Sequence, residues 1–326
     1  MCDNFTAAAS QVTTEALRLW PLPMPSADGD KEERGHILII GGSSEMPGAV
    51  ILAASAALRA GAGKLTIATS VNIAQLVALA VPEARVIGLP ETSAGGIAAP
   101  AARTLEGVIA KVDALLIGPG MQDEPATCEF VCALLSRMDG TKVVLDACAM
   151  GVACEKGEEV HSSTDAGNFG GAKWRCAETK ERKFLNRFDV QVALTPHAGE
   201  MAHLRSSAKQ EIVADPSATA QAAARQWNAV VALKGATTFV ATPDKQLWQH
   251  DGGNIGLAIS GSGDTLAGII AGLAARGASL EQACVWGVAL HARAGQELAL
   301  RTGPLGYLAR DIAAEVPRLM HALGQS

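Results

Sequence analysis

The sequence predicts an α/β protein in which a mainly parallel sheet lies between two layers of helices, a three-layer α/β/α fold. Two observations support this prediction. Beyond Gly35, short apolar runs alternate with Ala-rich amphipathic segments, which is the pattern of repeated β-α units. The apolar runs are nearly continuous, as expected of parallel strands that are buried on both faces. Apolar residues form 48% of the chain, which is ample for a core on each side of the sheet.

The elements follow in order along the chain. Residues 1–34 contain a short helix at 14–19 and a Pro-rich segment, and we interpret them as an N-terminal arm. Residues 35–326 then form one catalytic domain, interrupted by a polar insertion at 155–187 that is interpreted as a surface insertion or, alternatively, as a lid or subunit contact. Strands are expected at 37–40, 65–69, 114–117, 143–145, 192–194 and 230–233, with a hairpin at 239–241 and 247–250.

The stretch from Asn254 to Gly277 is the most informative part of the chain. Its glycines, including Gly261 and Gly263, allow a sharp turn and close approach of the backbone to a ligand. Apolar residues then recur at helical spacing, so a buried helix is expected to begin near Asp264. Free N–H groups and the positive end of the helix dipole would meet at this turn, which predicts a phosphate-binding loop.

Asp264 has two interpretations. It could cap the new helix, which is a common role for aspartate. Alternatively, it faces a substrate hydroxyl that attacks a phosphorus atom, and it takes the hydroxyl proton during the transfer. The residues around it leave both interpretations open.

Further loops support a ligand site at one edge of the sheet. Open α/β sheets bind ligands beyond the carboxyl ends of their strands, and five predicted strands end in Gly-, Asp- or hydroxyl-bearing loops. The segment at 61–64 is not a Walker A loop because a strand follows it, and the turn at 261–263 lacks the third glycine of a dinucleotide fingerprint. The loops lie at 41–44, 118–120, 146–148, 195–200 and 234–238.

Composition excludes several functional classes. A net charge of −6 with 4% aromatic residues predicts no nucleic-acid partner. The charge-free stretch at 65–82 is broken by polar residues and proline, so no membrane partner is expected. Seven cysteines without paired CxxC motifs are typical of reduced thiols, and the chain begins without a signal-peptide pattern, so a cytoplasmic location is expected.

Five motifs together resemble the NAD(P)H-hydrate dehydratases of the ribokinase-like superfamily, over nearly the whole chain from about Gly35 to Ala322. Gly-Asp loops occur throughout that superfamily, whereas the pair Thr-Pro-His-x-Gly-Glu and Lys-Gly-x-x-Thr is more specific. The resemblance implies a ribokinase-like fold. The motifs are Gly-Gly-Ser-Ser-Glu-Met-Pro-Gly-Ala (41–49), Gly-Pro-Gly (118–120), Thr-Pro-His-Ala-Gly-Glu-Met (195–201), Leu-Lys-Gly-Ala-Thr-Thr (233–238) and Gly-Asn (253–254) through Ser-Gly-Ser-Gly-Asp (260–264).

The resemblance also implies a repair reaction. Members of the family act on NADH or NADPH whose nicotinamide ring has taken up water. They phosphorylate the ring hydroxyl from ADP or ATP, with Mg²⁺, and then eliminate phosphate to restore the dihydronicotinamide. A single-domain chain resembles the ADP-using bacterial form, and the companion epimerase activity is expected on a separate chain. Self-association into a homo-oligomer stays open.

The resemblance assigns roles residue by residue. Asp264 is expected to face the substrate hydroxyl, and Glu200 to hold a water of the Mg²⁺ shell. For His197 a local turn role, and for Glu200 a helix-terminal charge, are the structural alternatives. The hydrate site would be lined by Ala49, Gly120 and His197, and the nucleotide held by Lys234, Gly235, Ala236, Thr237, Thr238, Asn254, Gly261 and Gly263.

Two positions depart from the family pattern, and two other functions remain. Cys148 stands where an aspartate is usual, and Ile255 where proline is usual. The alternatives are a ribokinase-like kinase acting on a small alcohol such as a thiazole or hydroxymethylpyrimidine, and a silent nucleotide-binding protein.

Overall fold

The computed structural model describes residues 9–26, 28, 30–154 and 185–324. The predicted insertion at 155–187 lies almost entirely outside these residues. The strands are β1 Ser10–Gln11, β2 His36–Ile40, β3 Lys64–Ser70, β4 Arg85–Leu89, β5 Ala114–Ile117, β6 Lys142–Leu145, β7 Val192–Leu194, β8 Val230–Leu233, β9 Thr237–Ala241 and β10 Leu247–Asp251.

Helices occupy the connections between the strands. Three 3₁₀ segments, Ala99–Leu105, Ala147–Ala153 and Ile255–Leu257, supplement them. The α-helices are α1 Thr14–Leu19, α2 Pro47–Arg59, α3 Ala74–Ala80, α4 Glu106–Ile109, α5 Glu124–Leu135, α6 Ala198–Leu204, α7 Lys209–Ala214, α8 Pro216–Trp227, α9 Ser262–Ala275, α10 Leu280–Thr302 and α11 Ala309–Gly324.

The strands form one sheet in the order β1-β10-β9-β8-β7-β6-β5-β2-β3-β4. Only β9 runs antiparallel to its neighbours in the described sheet. Side chains alternate between the two faces, so that Ile37 and Ile39 join one core while Leu38 and Ile40 join the other. The predicted three-layer α/β/α class is therefore confirmed.

The two outermost strands were not predicted. β4 pairs in parallel with β3 at one edge, and it is partly exposed, so it lacks the continuous apolar run of a central strand. β1 is two residues long and pairs with β10 at the other edge, so part of the predicted arm belongs to the sheet. The arm is held further by Trp20, which stacks on Trp248 with ring centroids 5.4 Å apart.

The buried helix α9 packs closely on α2. A Cβ built on Gly268 would lie 2.2 Å from the Ala53 carbonyl oxygen, and one on Gly272 would lie 2.5 Å from that of Ala57. Glycine is therefore required for this approach of the two backbones. This contact places the start of α9 beside the loop that leads into α2.

Helix ends also follow local sequence signals. Ser279 accepts a hydrogen bond from the Gln282 amide N–H at 3.1 Å, so Ser279 is the N-cap of α10. The Gln282 side chain does not complete a capping box and instead donates to the carbonyl oxygens of Trp20 and Pro21. In the part of the chain that the structure describes, no helix is long and apolar enough to cross a membrane.

Candidate active site

The loops at the carboxyl ends of β2, β5 and β6 touch one another. A Cβ on Gly120 would lie 2.6 Å from the Met46 carbonyl oxygen and 2.8 Å from the Ala49 Cβ, so two of the residues predicted for the substrate are in contact. Gly118 lies against the backbone of Asp146, since a Cβ on Gly118 would lie 1.8 Å from the Asp146 carbonyl oxygen. A continuous rim therefore runs from Ala49 to Asp146.

The loops after β7 and β8 continue this rim. A β-bridge joins His197 to Lys234, and the Lys234 amide N–H donates to the Pro196 carbonyl oxygen at 2.8 Å. The predicted nucleotide segment and the predicted substrate histidine therefore lie side by side.

The turn before α9 is capped by glycine. Gly261 occupies the N-cap position with a φ of 87°, and among the residues that the structure describes no side chain caps this helix. Asp264 is the third residue of the helix, which begins two residues earlier than predicted. The interpretation of Asp264 as the N-cap is therefore wrong, and its carboxylate is available for another role.

Lys234 lies at the centre of a group of acidic side chains. Its Nζ is 3.4 Å from Asp146 Oδ1 and 3.8 Å from Glu200 Oε2, and a Cβ on Gly263 would lie 3.5 Å from it. Burial by itself would lower the pKa of Lys234, but the two carboxylates, with a further contribution from Asp264, raise it instead. The ammonium group therefore stays charged beside the predicted phosphate turn.

Asp264 is held in an environment that disfavours its charge. Burial, followed by repulsion from Asp146, raises its pKa to about 7, although Lys234 opposes the shift. A carboxylate with a pKa near neutrality exchanges a proton readily at physiological pH, which is the property required of a general base.

His197 and Glu200 cap α6 together. The Nδ1 atom of His197 accepts from the amide groups of Gly199 at 2.9 Å and Glu200 at 3.1 Å. In return, Glu200 Oε2 accepts from the His197 amide at 2.7 Å, which completes a capping box. His197 therefore has the local turn role, and Glu200 the helix-terminal role, that were considered as structural alternatives. The His197 side chain is nevertheless 55% exposed, and its Nε2 atom faces outward.

The remaining residues predicted for the nucleotide lie on nearby loops. Gly235 and Ala236 are exposed. The Thr238 hydroxyl lies 3.4 Å from both the amide and the carbonyl oxygen of Gly235, whereas the Thr237 hydroxyl donates to Asp251 Oδ1 at 2.8 Å. The Thr237 hydroxyl is therefore already occupied.

Asn254 offers an unused donor. Its Oδ1 accepts from the Gly256 amide and from the hydroxyl of Tyr307, each at 2.8 Å. Its Nδ2 is buried and has no hydrogen-bond partner within residues 9–26, 28, 30–154 and 185–324. An unpaired buried donor is unfavourable, so a hydrogen bond from Asn254 Nδ2 to an oxygen of a ligand would favour binding of that ligand.

Sequence reasoning missed several residues that support the site. Asp146, which is 3% exposed, accepts from the Thr195 hydroxyl at 2.5 Å, and only its position directly after a strand pointed to it. His291, from the middle of α10, lies 3.0 Å from Ser262 Oγ and 3.1 Å from the Ser262 carbonyl oxygen. Burial lowers the pKa of His291 to about 4, so the ring is neutral. Its contacts with Ser262 hold the first residue of α9 in position.

Cys148 does not replace the family's usual aspartate chemically. It is buried, and burial raises the pKa of its thiol to about 12. The side chain is therefore a neutral part of the core. Within the described ranges, no group of three or more His, Cys, Asp or Glu side chains is arranged to hold a metal ion.

A separate cavity of about 550 Å³ lies at the opposite edge of the sheet, between the amino ends of β3 and β4. Its lining includes His36, Thr66 and Arg85. None of the predicted site residues lines it, so the candidate active site is the rim at the carboxyl ends of the strands.

The fold and the rim together define a phosphoryl-transfer type of site, with a glycine-capped helix, a buried lysine and an acidic residue of raised pKa. A profile of the NAD(P)H-hydrate dehydratases matches residues 37–167 and 170–318. The chain is 45% identical, over 96% of both sequences, to an ADP-dependent (S)-NAD(P)H-hydrate dehydratase of Xanthomonas campestris pathovar campestris. The chain belongs to the NAD(P)H-hydrate dehydratase family.

Solved structures support the same assignment. The fold is similar to the ADP/ATP-dependent NAD(P)H-hydrate dehydratase of Bacillus subtilis co-crystallised with ATP/Mg²⁺, with a TM-score of 0.75, 27% identity, and 97% and 99% of the two chains covered. It is also similar to a ribokinase-like superfamily protein of Enterococcus faecalis, with a TM-score of 0.73, 25% identity, and 97% and 96% covered. The fold is therefore ribokinase-like, as the motifs predicted.

Proposed function

We propose that this chain is a lyase that repairs the S form of hydrated NADH and NADPH. It transfers a phosphoryl group from ADP or ATP to the ring hydroxyl and then eliminates phosphate. The observation that carries the proposal is Asp264, whose carboxylate is unused in capping, has a raised pKa, and lies in the first turn of a glycine-capped helix beside Lys234.

Each part of the rim has a role in this proposal. Asp264 orients the ring hydroxyl and takes its proton as the oxygen–phosphorus bond forms. The amide groups of Gly261 and Gly263 bind phosphate oxygens, and Lys234 offsets their charge. Ala49, Gly120 and His197 line the hydrate, while the segment 235–238 and Asn254 contact the nucleotide.

The residues of this site fit Mg²⁺ only if the ion is bound mainly by the phosphates of the nucleotide. The described residues around Lys234 form no protein cage for a metal, and Glu200 is already engaged in the α6 cap. Mg²⁺ characteristically keeps waters and binds through substrate phosphates with one or two carboxylates. We therefore propose that it would enter with the nucleotide and neutralise phosphate charge, and that Glu200 would hold one of its waters through Oε1, since only Oε2 is used in the cap.

Other features remain part of the proposal. Residues 35–326 act as one catalytic domain. A cytoplasmic location is part of the same proposal, and it is supported by Cys148 and Cys284, which are buried free cysteines. ADP is the expected donor because the Xanthomonas relative is named as ADP-dependent.

One assay tests the function. Purified protein is incubated with hydrated NADH or hydrated NADPH and with ADP or ATP, and dihydronicotinamide absorbance and inorganic phosphate are followed together. We expect both to rise in equal amounts. A stable phosphorylated product without recovered absorbance would instead identify a small-alcohol kinase, and no reaction from a folded, nucleotide-binding protein would refute the enzyme assignment.

A further inference from the structure

The hydrogen bonds of the α6 cap determine which nitrogen of the His197 ring carries the hydrogen. Nδ1 accepts two backbone N–H groups, from Gly199 at 2.9 Å and Glu200 at 3.1 Å. A ring nitrogen that accepts hydrogen bonds has no hydrogen of its own. The opposite ring orientation would place a carbon against these two N–H groups, so the capping geometry fixes the ring.

The hydrogen of the neutral ring therefore lies on Nε2. This atom is 3.7 Å from Glu200 Oε1, which is beyond hydrogen-bonding distance, and it belongs to a side chain that is 55% exposed. Among the residues that the structure describes, Nε2 makes no closer polar contact. The capping box thus leaves the N–H of Nε2 facing the rim.

We propose that His197 meets the hydrated nicotinamide as a neutral hydrogen-bond donor through Nε2–H, and that it accepts no proton in either step of the reaction. The proposal rests on the proposed function for the identity of the ligand. The acceptor is an oxygen of the substrate, either the carboxamide carbonyl or an oxygen of the transferred phosphoryl group. His197 is then a binding and orienting residue.

The proton balance follows from this assignment. In the first step, the ring hydroxyl oxygen bonds to phosphorus, the bond from phosphorus to the nucleotide oxygen breaks, and the hydroxyl proton passes to Asp264. In the second step, the carbon–oxygen bond breaks with its electron pair leaving on phosphate. The neighbouring ring carbon loses a proton, and its C–H electrons form the new double bond.

The proton of the second step needs an acceptor. Asp264 already holds the hydroxyl proton, and the only unprotonated nitrogen of His197 is engaged in the α6 cap. The two other carboxylates of the rim have partners, since Glu200 accepts in the α6 cap and Asp146 accepts from Thr195 beside Lys234. We therefore assign the departing phosphate as the base.

A spectroscopic test addresses the tautomer directly. The full chain is labelled with ¹⁵N-histidine, and the His197 signals are assigned by their loss in His197→Asn. We expect an unprotonated Nδ1 and a protonated Nε2 without ligand. A hydrogen on Nδ1, or on both nitrogens, at pH 7.5 overturns the proposal, whatever activity the enzyme has.

A kinetic test separates a donor from a base. Asparagine is a good N-cap, so His197→Asn retains the α6 start while removing Nε2–H. Loss of one neutral hydrogen bond should raise KM for the hydrate by about two- to tenfold and leave kcat within tenfold. Loss of a base would lower kcat by about 10²–10⁴-fold, and that result would overturn the proposal.

His197→Ala serves as the matched control because it removes both the cap and the donor. We expect its KM to match that of His197→Asn, with a lower melting temperature. If His197→Asn restores the wild-type KM, the cap alone matters and the donor role is refuted. If wild-type protein fails to convert the hydrate, the proposed function falls, and the NMR result still decides the tautomer.

Discussion

Helices α6 and α9 both begin at the active-site rim, but their first turns are satisfied differently. At α6, His197 and Glu200 use their side chains to occupy the exposed amide groups. At α9, Gly261 provides the turn and no side chain caps the helix. A capped turn has fewer amide groups to offer, whereas the turn of α9 leaves the N–H of Gly263 for an anion, since the Ser262 N–H donates to the Ile259 carbonyl oxygen at 3.3 Å.

The acidic residues of the two turns differ in the same way. Glu200 accepts a backbone hydrogen bond and completes the cap of its own helix. Asp264 occupies the equivalent third position of α9, yet burial and the nearby Asp146 raise its pKa to about 7. An acidic residue in a first turn is therefore structural where it completes a capping box, and available for chemistry where it does not.

The largest effect is expected from Asp264→Asn. The amide has the shape of the carboxylate but cannot take the hydroxyl proton, so kcat should fall by about 10²–10⁴-fold. Nucleotide affinity should change little because the backbone of the turn is unaltered. Glu200→Gln is the matched control, since glutamine also completes a capping box, and its kcat should fall much less. Equal losses in the two variants would contradict the contrast between the turns.

Two glycines of the α9 turn should respond to alanine differently. Gly261 has a φ of 87°, and its Cβ would lie 2.4 Å from Leu52 Cδ1, so Gly261→Ala should lower the free energy of unfolding by about 1–3 kcal/mol. The Cβ of Gly263 would lie 3.5 Å from Lys234 Nζ, which is an ordinary contact. Gly263→Ala should therefore fold normally.

The methyl group of Gly263→Ala would instead occupy the space proposed for phosphate. Losing a charge-assisted hydrogen bond there should raise the nucleotide KM by about 10- to 100-fold. Urea denaturation measures the stability of both variants, and nucleotide titration measures their affinity for the nucleotide. A Gly263→Ala enzyme with wild-type nucleotide affinity would show that phosphate does not bind at this turn.

Asp264 should also make stability depend on pH. Its folded-state pKa, about 7, lies above the ordinary value of 3.8, so the folded state holds the proton more tightly. The stabilisation is fully present below pH 3.8 and is lost as pH rises through 7. Asp264→Asn should remove this slope, making the variant about 1–3 kcal/mol more stable than wild type at pH 8.

Urea denaturation at pH 5 and pH 8 measures this effect in the absence of nucleotide. At pH 5 the difference between the two proteins should be smaller than at pH 8, because the folded wild-type side chain is still protonated although the unfolded one is already ionised. A constant difference between the two pH values would show that the Asp264 carboxyl has an ordinary pKa in the folded protein.

The sequence predicted the central elements better than the edges. The strands at 114–117, 192–194 and 230–233 and the helix at 14–19 have the predicted bounds because buried apolar runs and caps are local signals. β4 at Arg85–Leu89 is half-exposed, and β1 has two residues, so neither has such a signal. Edge strands depend on pairing with a neighbour that the local sequence does not identify.

The site shows a similar division. The glycine turn and Asp264 were found because they adjoin in the sequence, whereas the support from His291 comes from the middle of α10. Nothing in the residues around His291 distinguishes it from a core histidine. Likewise, the role of His197 in capping depends on the backbone of α6, which only the structure shows.

The smallest effect is expected at the α6 cap. His197→Ala exposes the amide groups of Gly199 and Glu200 and should lower the free energy of unfolding by about 1 kcal/mol. His197→Asn retains an acceptor at the same position and should cost only a few tenths of a kcal/mol. Urea denaturation at pH 8 compares the two variants with wild type. If the alanine variant were as stable as the asparagine variant, the first turn of α6 would be satisfied without its side-chain cap, and the contrast with α9 would rest on Asp264 alone.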